Sequence, residues 1–341
     1  MANARRQRTS THAAVAKTRS SADPRHAATS HRPRANTRAE KQRHAGLPWW
    51  AIPLTILVVG LGSLVAWRAF RNSGGSDPNT AAIARPIATL DAPDAHSLIV
   101  DSQDPDHVLF GSHAGIQESR DGGFSWQAGA LQNADAMQMA SSPKSPETLF
   151  ATGHDVFQVS RDGGQTWQPV SHDLPGTDIH GFAQDPADPN RLYAFVAGAG
   201  TYTSTDGGTT WTALLVQPPG GGMHLALAAS DTALYAATGA GLVSSSDQGA
   251  TWIPLPSQPS GQVLSVAIPT GDAQTIYVGT PSGIEVSPDG GASWASYGPR
   301  GVAALALAVA PTDPDRVLLV SATGDVYRSD TGGTTWRPAE D

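Results

Sequence analysis

Short apolar runs separated by polar turns fill the chain from Asp91 to Asp341. In one stretch they read His180-Gly181-Phe182-Ala183, then Arg191-Leu192-Tyr193-Ala194-Phe195, then Thr201-Tyr202-Thr203. A fourth run begins at a tryptophan. Runs this short, bounded by Gly, Pro, Asn and Asp, predict strands. Pro/Asp turns divide the first run from the second, as at Asp104-Pro105-Asp106, Asp188-Pro189-Asn190 and Asp313-Pro314-Asp315. The unit recurs six times. Four short antiparallel strands per unit and six units predict an all-β fold, a six-bladed β-propeller, with the first strand of each unit innermost.

Each third run ends in one octapeptide: Ser119 to Trp126, Ser160 to Trp167, Ser204 to Trp211, Ser245 to Trp252, Ser287 to Trp294 and Ser329 to Trp336. The second copy, SRDGGQTW, shows the pattern S-x-D-G-G-x-T-W. Its tryptophans lie 41, 44, 41, 42 and 42 residues apart, a spacing typical of propellers and repeat arrays. The Asp carboxylate accepts nearby backbone N–H groups and closes a hairpin turn. Gly supplies the positive φ, and the Trp is expected to lock the hairpin onto its own sheet. The last copy carries Thr331 where the others carry Asp. This octapeptide resembles the Asp-box, or BNR repeat, of sialidase-type propellers, sortilin-type receptor ectodomains and photosystem II assembly factor-like propellers. The resemblance spans roughly Asp91 to Asp341. It implies the fold and leaves the activity open.

The amino-terminal third differs. Residues 1 to 71 hold 13 of the 22 Lys and Arg and only two acids, Asp23 and Glu40. Residues 1–46 have almost no large apolar side chains and are expected to be a disordered basic tail. Leu47 to Trp67 is uncharged and apolar for 21 residues, with Trp49, Trp50 and Trp67 at its ends. That length and those aromatics predict one transmembrane helix. Eleven basic residues precede it and two follow, which places the amino terminus in the cytoplasm and the rest outside the cell membrane. Residues 68–90 read as a linker and 91–341 as the propeller, with Ile87 to Leu90 a candidate for completing the ring. Beyond residue 71 the chain has nine basic and 28 acidic residues, a net charge of −19. Such a surface excludes nucleic acid as a partner. With no Cys, the exported domain relies on packing alone.

Aligning the six units exposes a cluster. The opening position of the inner strand reads His96, Met137, His180, His224, Leu264 and Leu305. The end of the second strand reads His113, His154, Ala197, Gly239, Pro281 and Ala322. Both positions belong to one face of the disc, opposite the octapeptide turns. Five of the seven His outside the tail therefore converge there: His96, His113, His154, His180 and His224. They are the candidate metal ligands. Met137, Met139 and Met223 lie beside them as candidate ligand-binding residues. Imidazole with thioether suits copper, and imidazole alone suits zinc. The alternative is that these His are satisfied by neighbouring backbone while Met fills gaps between blades.

A sialidase resemblance would imply an arginine triad, a Tyr nucleophile with a Glu partner, and an acid/base Asp. Nine basic residues, most of them in turns or octapeptides, do not supply three convergent Arg. Asp94, Asp135, Asp155, Asp178 and Glu285 are candidate carboxylates for a glycosidase, with no pair singled out. No catalytic residue is assigned. The resemblance to assembly-factor propellers implies a basic patch toward the partner, which this acidic domain lacks. The expectation is a membrane-anchored binding or assembly module with a protein or carbohydrate ligand. A sialidase-like glycoside hydrolase is the alternative.

Overall fold

In the computed structural model, residues 84–91, 94–220, 222–227 (backbone only) and 233–337 are described. The basic tail 1–46, the apolar segment 47–67 and most of the expected linker 68–90 lie outside them. Among the described residues no helix is long and apolar enough to cross a membrane.

Among the described residues six four-stranded antiparallel sheets follow one another, five of them ordered as the chain runs. Blade 1 contains β2 (Ser97–Val100), β3 (Val108–Ser112), β4 (Gly115–Ser119) and β5 (Gln127–Gln132). Blade 2 contains β6 (Gln138–Ser142), β7 (Ser145–Gly153), β8 (Val156–Ser160) and β9 (Gln168–Pro169). Blade 3 contains β10 (Ile179–Gln184), β11 (Leu192–Val196), β12 (Gly200–Ser204) and β13 (Thr212–Ala213). Blade 4 contains β14 (Gly222–Leu227), β15 (Leu234–Thr238), β16 (Gly241–Ser245) and β17 (Ile253–Pro254), and blade 5 contains β18 (Ser265–Ala267), β19 (Ile276–Thr280), β20 (Gly283–Ser287) and β21 (Ala295–Ser296). Blade 6 contains β22 (Ala304–Ala310), β23 (Asp313–Ser321) and β24 (Asp325–Asp330). Its fourth strand comes from the other end of the chain. β1 (Ala88–Thr89) pairs with β24 through Ala88↔Val326 and Thr89↔Asp325. Ile87 N–H to Val326 O and Leu90 N–H to Gly324 O, both 2.8 Å, extend the pairing. The structured ring thus starts before residue 91, inside the expected linker. The inner strands β2, β6, β10, β14, β18 and β22 touch in a closed circle.

The core lies between blades. Six clusters of buried side chains fill the six gaps, each drawing on two adjacent sheets. Phe150 and Phe157 of blade 2 meet Phe182 of blade 3 at 5.7 and 5.6 Å between ring centroids. Each octapeptide Trp packs into the gap in front of its own blade. Trp211 of blade 3, for example, lies 6.1 Å from the Phe157 ring of blade 2. The Trp keeps contact with its own sheet, as Trp126 does with Phe110 at 6.3 Å between ring centroids, and also reaches the preceding blade, so it joins two sheets where the sequence predicted contact with one.

The octapeptide closes as its chemistry requires. In the second copy Ser160 Oγ donates to Asp162 Oδ1 (2.7 Å) and accepts from Gly164 N–H (2.8 Å). Thr166 donates its N–H to Asp162 Oδ1 (2.8 Å) and its hydroxyl to Oδ2 (2.5 Å). Gly164 sits at φ 90°, where a side chain would be strained and would crowd Leu109 and Leu149. In the sixth copy Thr331 Oγ1 accepts the Thr335 N–H in place of the carboxylate, at 2.9 Å. Asp330, one place earlier, pairs with Arg328 and Arg337.

Candidate functional site

At one end of the ring, the entries to inner strands meet the turns between second and third strands. Three blades contribute polar side chains there. Asp94 and His96 precede β2, and His113 follows β3. Asp135 and Met137 precede β6, and His154 follows β7. Asp178 precedes β10, where it bridges to His154, and His180 lies in β10. His180 is the extra residue of a β-bulge, since Ile179 pairs with Val196 and Gly181 with Phe195. A bulge of this kind re-aims a side chain.

The seven polar groups form an arc of alternating imidazoles and carboxylates. His96 Nε2 lies 3.0 Å from His113 Nδ1 and 3.8 Å from Asp94 Oδ2. His113 Nδ1 also contacts Asp94 Oδ2 closely. On its other side His113 Nε2 lies 3.7 Å from Asp135 Oδ2. His154 Nδ1 lies 2.5 Å from that same oxygen, and the His154 backbone N–H donates to it at 3.2 Å. His154 Nε2 is 3.5 Å from Asp178 Oδ1, which His180 Nε2 reaches at 2.8 Å. Three overlapping groups of two His and one Asp result: Asp94–His96–His113, His113–Asp135–His154 and His154–Asp178–His180. Within each group the ligand atoms lie within 4.8 Å of one another. A tetrahedral ion with N and O bonds of about 2.0–2.1 Å sets its ligand atoms about 3.3 Å apart, so these spacings bracket a coordination sphere.

Burial grades across the arc. Asp135 is 9% exposed, and its Oδ1 has no hydrogen-bond partner. His113 and His154 are 43% and 50% exposed. Burial, helped by the charge of His113 and opposed by the nearby carboxylates, lowers the pKa of His96. The hydrogen bond to Asp135 raises that of His154, and Asp178 adds to the effect.

Four expected ligands, His96, His113, His154 and His180, are thus brought together. For His224 and Met223 only the backbone is described, and its register corrects the alignment. Gly222 pairs with Thr238 and His224 with Ala237, so Met223 occupies the place of His180, and His224 falls one step further along. The segment after the inner strand is shorter in blade 4: 11 residues lead from Met223 to Leu234, against 12 from His180 to Leu192. Met137 holds the position of His96 and is half-buried. Met139 pairs with Ala151 and is buried in the core cluster of Leu109, Leu149 and Ala151, one step too deep to join the arc. The carboxylates take the part expected of the thioethers. Their signal was present as Asp-x-His or Asp-x-Met at 94–96, 135–137 and 178–180, read on the sequence only as scattered glycosidase candidates. Glu285 lies elsewhere, bound by the N–H and hydroxyl of Ser260. Asp155 accepts from Thr177 Oγ1 at 2.5 Å beside the arc.

The family model described as photosynthesis system II assembly factor YCF48 matches residues 85–238. No curated protein sequence matches the chain. Among solved structures, the GH74 xyloglucanase from Xanthomonas campestris is 20% identical, with a TM-score of 0.54 over 74% of this chain and 46% of that one. The RRP9 WD40 repeats are 11% identical, with a TM-score of 0.56 over 75% of this chain and 98% of that one. A YCF48 bound to D1 peptide is 21% identical, with a TM-score of 0.48 over 74% of this chain and 83% of that one. The chain spans about half the length of the GH74 enzymes it matches. What the chain shares with the GH74 xyloglucanase and the WD40 repeats is the β-propeller fold, and its six repeated turns resemble the Asp-box (BNR) repeat.

Proposed function

We propose that the chain is a membrane-anchored, extracytoplasmic binding module whose His- and Asp-lined face holds a transition-metal ion. One observation carries the reading: seven side chains from three blades meet as overlapping sets of two imidazoles and one carboxylate. Carboxylates in place of thioethers make the donor set harder. It suits zinc or copper(II) better than copper(I). The anchor rests on the 21-residue apolar segment Leu47 to Trp67 and on the basic residues before it.

Titration of the purified full-length chain with zinc or copper(II), followed by calorimetry, tests the reading. His113 and His154 between them take part in all three sets. The His113→Ala/His154→Ala variant is therefore expected to abolish stoichiometric binding. Absence of binding in the native chain would remove the metal from the proposal. A glycoside hydrolase remains the second reading, supported by three carboxylates on this face. Turnover in a glycan screen that includes xyloglucan, lost in Asp135→Ala and independent of metal, would put it first.

A further inference from the structure

Three sets of ligands cannot all be filled independently, because His113 and His154 each belong to two of them. We infer that the arc holds a single ion, in the central set His113–Asp135–His154, with Asp94 and Asp178 positioning its two imidazoles. This rests on the metal reading proposed above. A neutral imidazole has one lone pair and one N–H. A metal-bound His commonly gives its other ring N–H to a carboxylate, which fixes the tautomer and strengthens the ligand.

Only the central set meets this condition on both sides. With Nε2 of His113 turned to the ion, its Nδ1–H meets Asp94 Oδ2. With Nδ1 of His154 turned to the ion, its Nε2–H faces Asp178 Oδ1 at 3.5 Å. In each flanking set one imidazole has a carboxylate behind it and the other, His96 or His180, has none among the described contacts. The central carboxylate is also the buried one. Asp94 Oδ1 and Asp135 Oδ1 are both enclosed without a partner, but the Asp135 side chain is only 9% exposed against 32% for Asp94 and 47% for Asp178, and its Oδ2 is held by the His154 N–H. A carboxylate shut away from water with an unused oxygen lacks compensation that a cation supplies. His113 and His154 are about half exposed, so the remaining coordination position opens to solvent and accepts water or an exogenous donor.

Zinc calorimetry and cobalt(II) absorption on the full-length chain test the assignment. One equivalent is expected in the native chain, with the intense visible bands of four-coordinate cobalt. Asp135→Ala should abolish binding. Asp135→Asn, which preserves shape if the alanine variant fails to fold, should weaken it about 100-fold or more. Asp94→Asn and Asp178→Asn should each weaken it about 10–100-fold and shift the cobalt bands. His96→Ala/His180→Ala should retain one equivalent. Two equivalents that survive Asp135→Ala and vanish in His96→Ala/His180→Ala would overturn the central assignment in favour of the flanking sets. Native affinity and unshifted cobalt bands in both asparagine variants would overturn the positioning roles. No binding by the native chain would instead defeat the metal reading itself.

Discussion

Asp162, Asp206 and Asp247 each accept a hydroxyl and a backbone N–H from the Thr four residues on, and their carboxyls are held down at about 2. The charged form is the one that closes the turn. Above the unfolded value near 3.8 this stabilisation is complete; it drains away as pH falls from about 4 through 2. An Asp162→Asn/Asp206→Asn/Asp247→Asn variant is expected to be less stable at neutral pH. The gap to the native chain should narrow on acidification across that window, which thermal melts at a series of pH values would show. A constant gap would mean that the carboxylates act by shape alone. These Asp were legible in sequence because five of the six copies put an Asp in one register. The arc residues were half legible. His was visible by its rarity, while Asp94, Asp135 and Asp178 stood among five candidate carboxylates with no partner assigned until the fold set each two residues before a strand-opening position.

Single strands carried less information than their repetition. The four-run unit foretold five blades whole and three strands of the sixth, whose fourth strand comes from β1. What lay beyond it was which side of a strand faces which neighbour. Met139 looked like a companion of the His because it is two residues from Met137, yet that step takes it down the inner strand into the gap between blades 1 and 2. The tryptophans show the same limit, because pattern alone does not say whether a plate covers its own sheet alone or the preceding blade as well. Phe182, 2% exposed between Phe150 and Phe157, measures how much these gaps contribute. Phe182→Ala is expected to cost about 3–5 kcal/mol in denaturant unfolding. A loss below about 1 kcal/mol would mean that blades 2 and 3 close over the vacancy.

At the scale of the ring, blade 6 is finished by the two residues of β1, and its meeting with blade 1 is clamped by Arg side chains. Arg316 donates to Asp106 at 2.7 Å, and Arg328 to the Gly122 carbonyl at 3.1 Å. A chain shortened to begin at residue 91 leaves the edge of β24 unpaired, and open edges recruit other chains. It is expected to self-associate in sedimentation while a chain beginning at residue 84 stays monomeric. Arg316→Ala/Arg328→Ala should loosen the same junction without touching the arc. The β1 strand has a mechanical meaning as well. Any tension transmitted along the segment that precedes Ile87 arrives first at this short hem, stitched to the far end of the chain. Blade 1, with Asp94, His96 and His113, sits immediately beyond it. A tug strong enough to rip the hem would unfasten the disc beside the arc, so the same stitch that makes the molecule a circle is where force and chemistry come closest together.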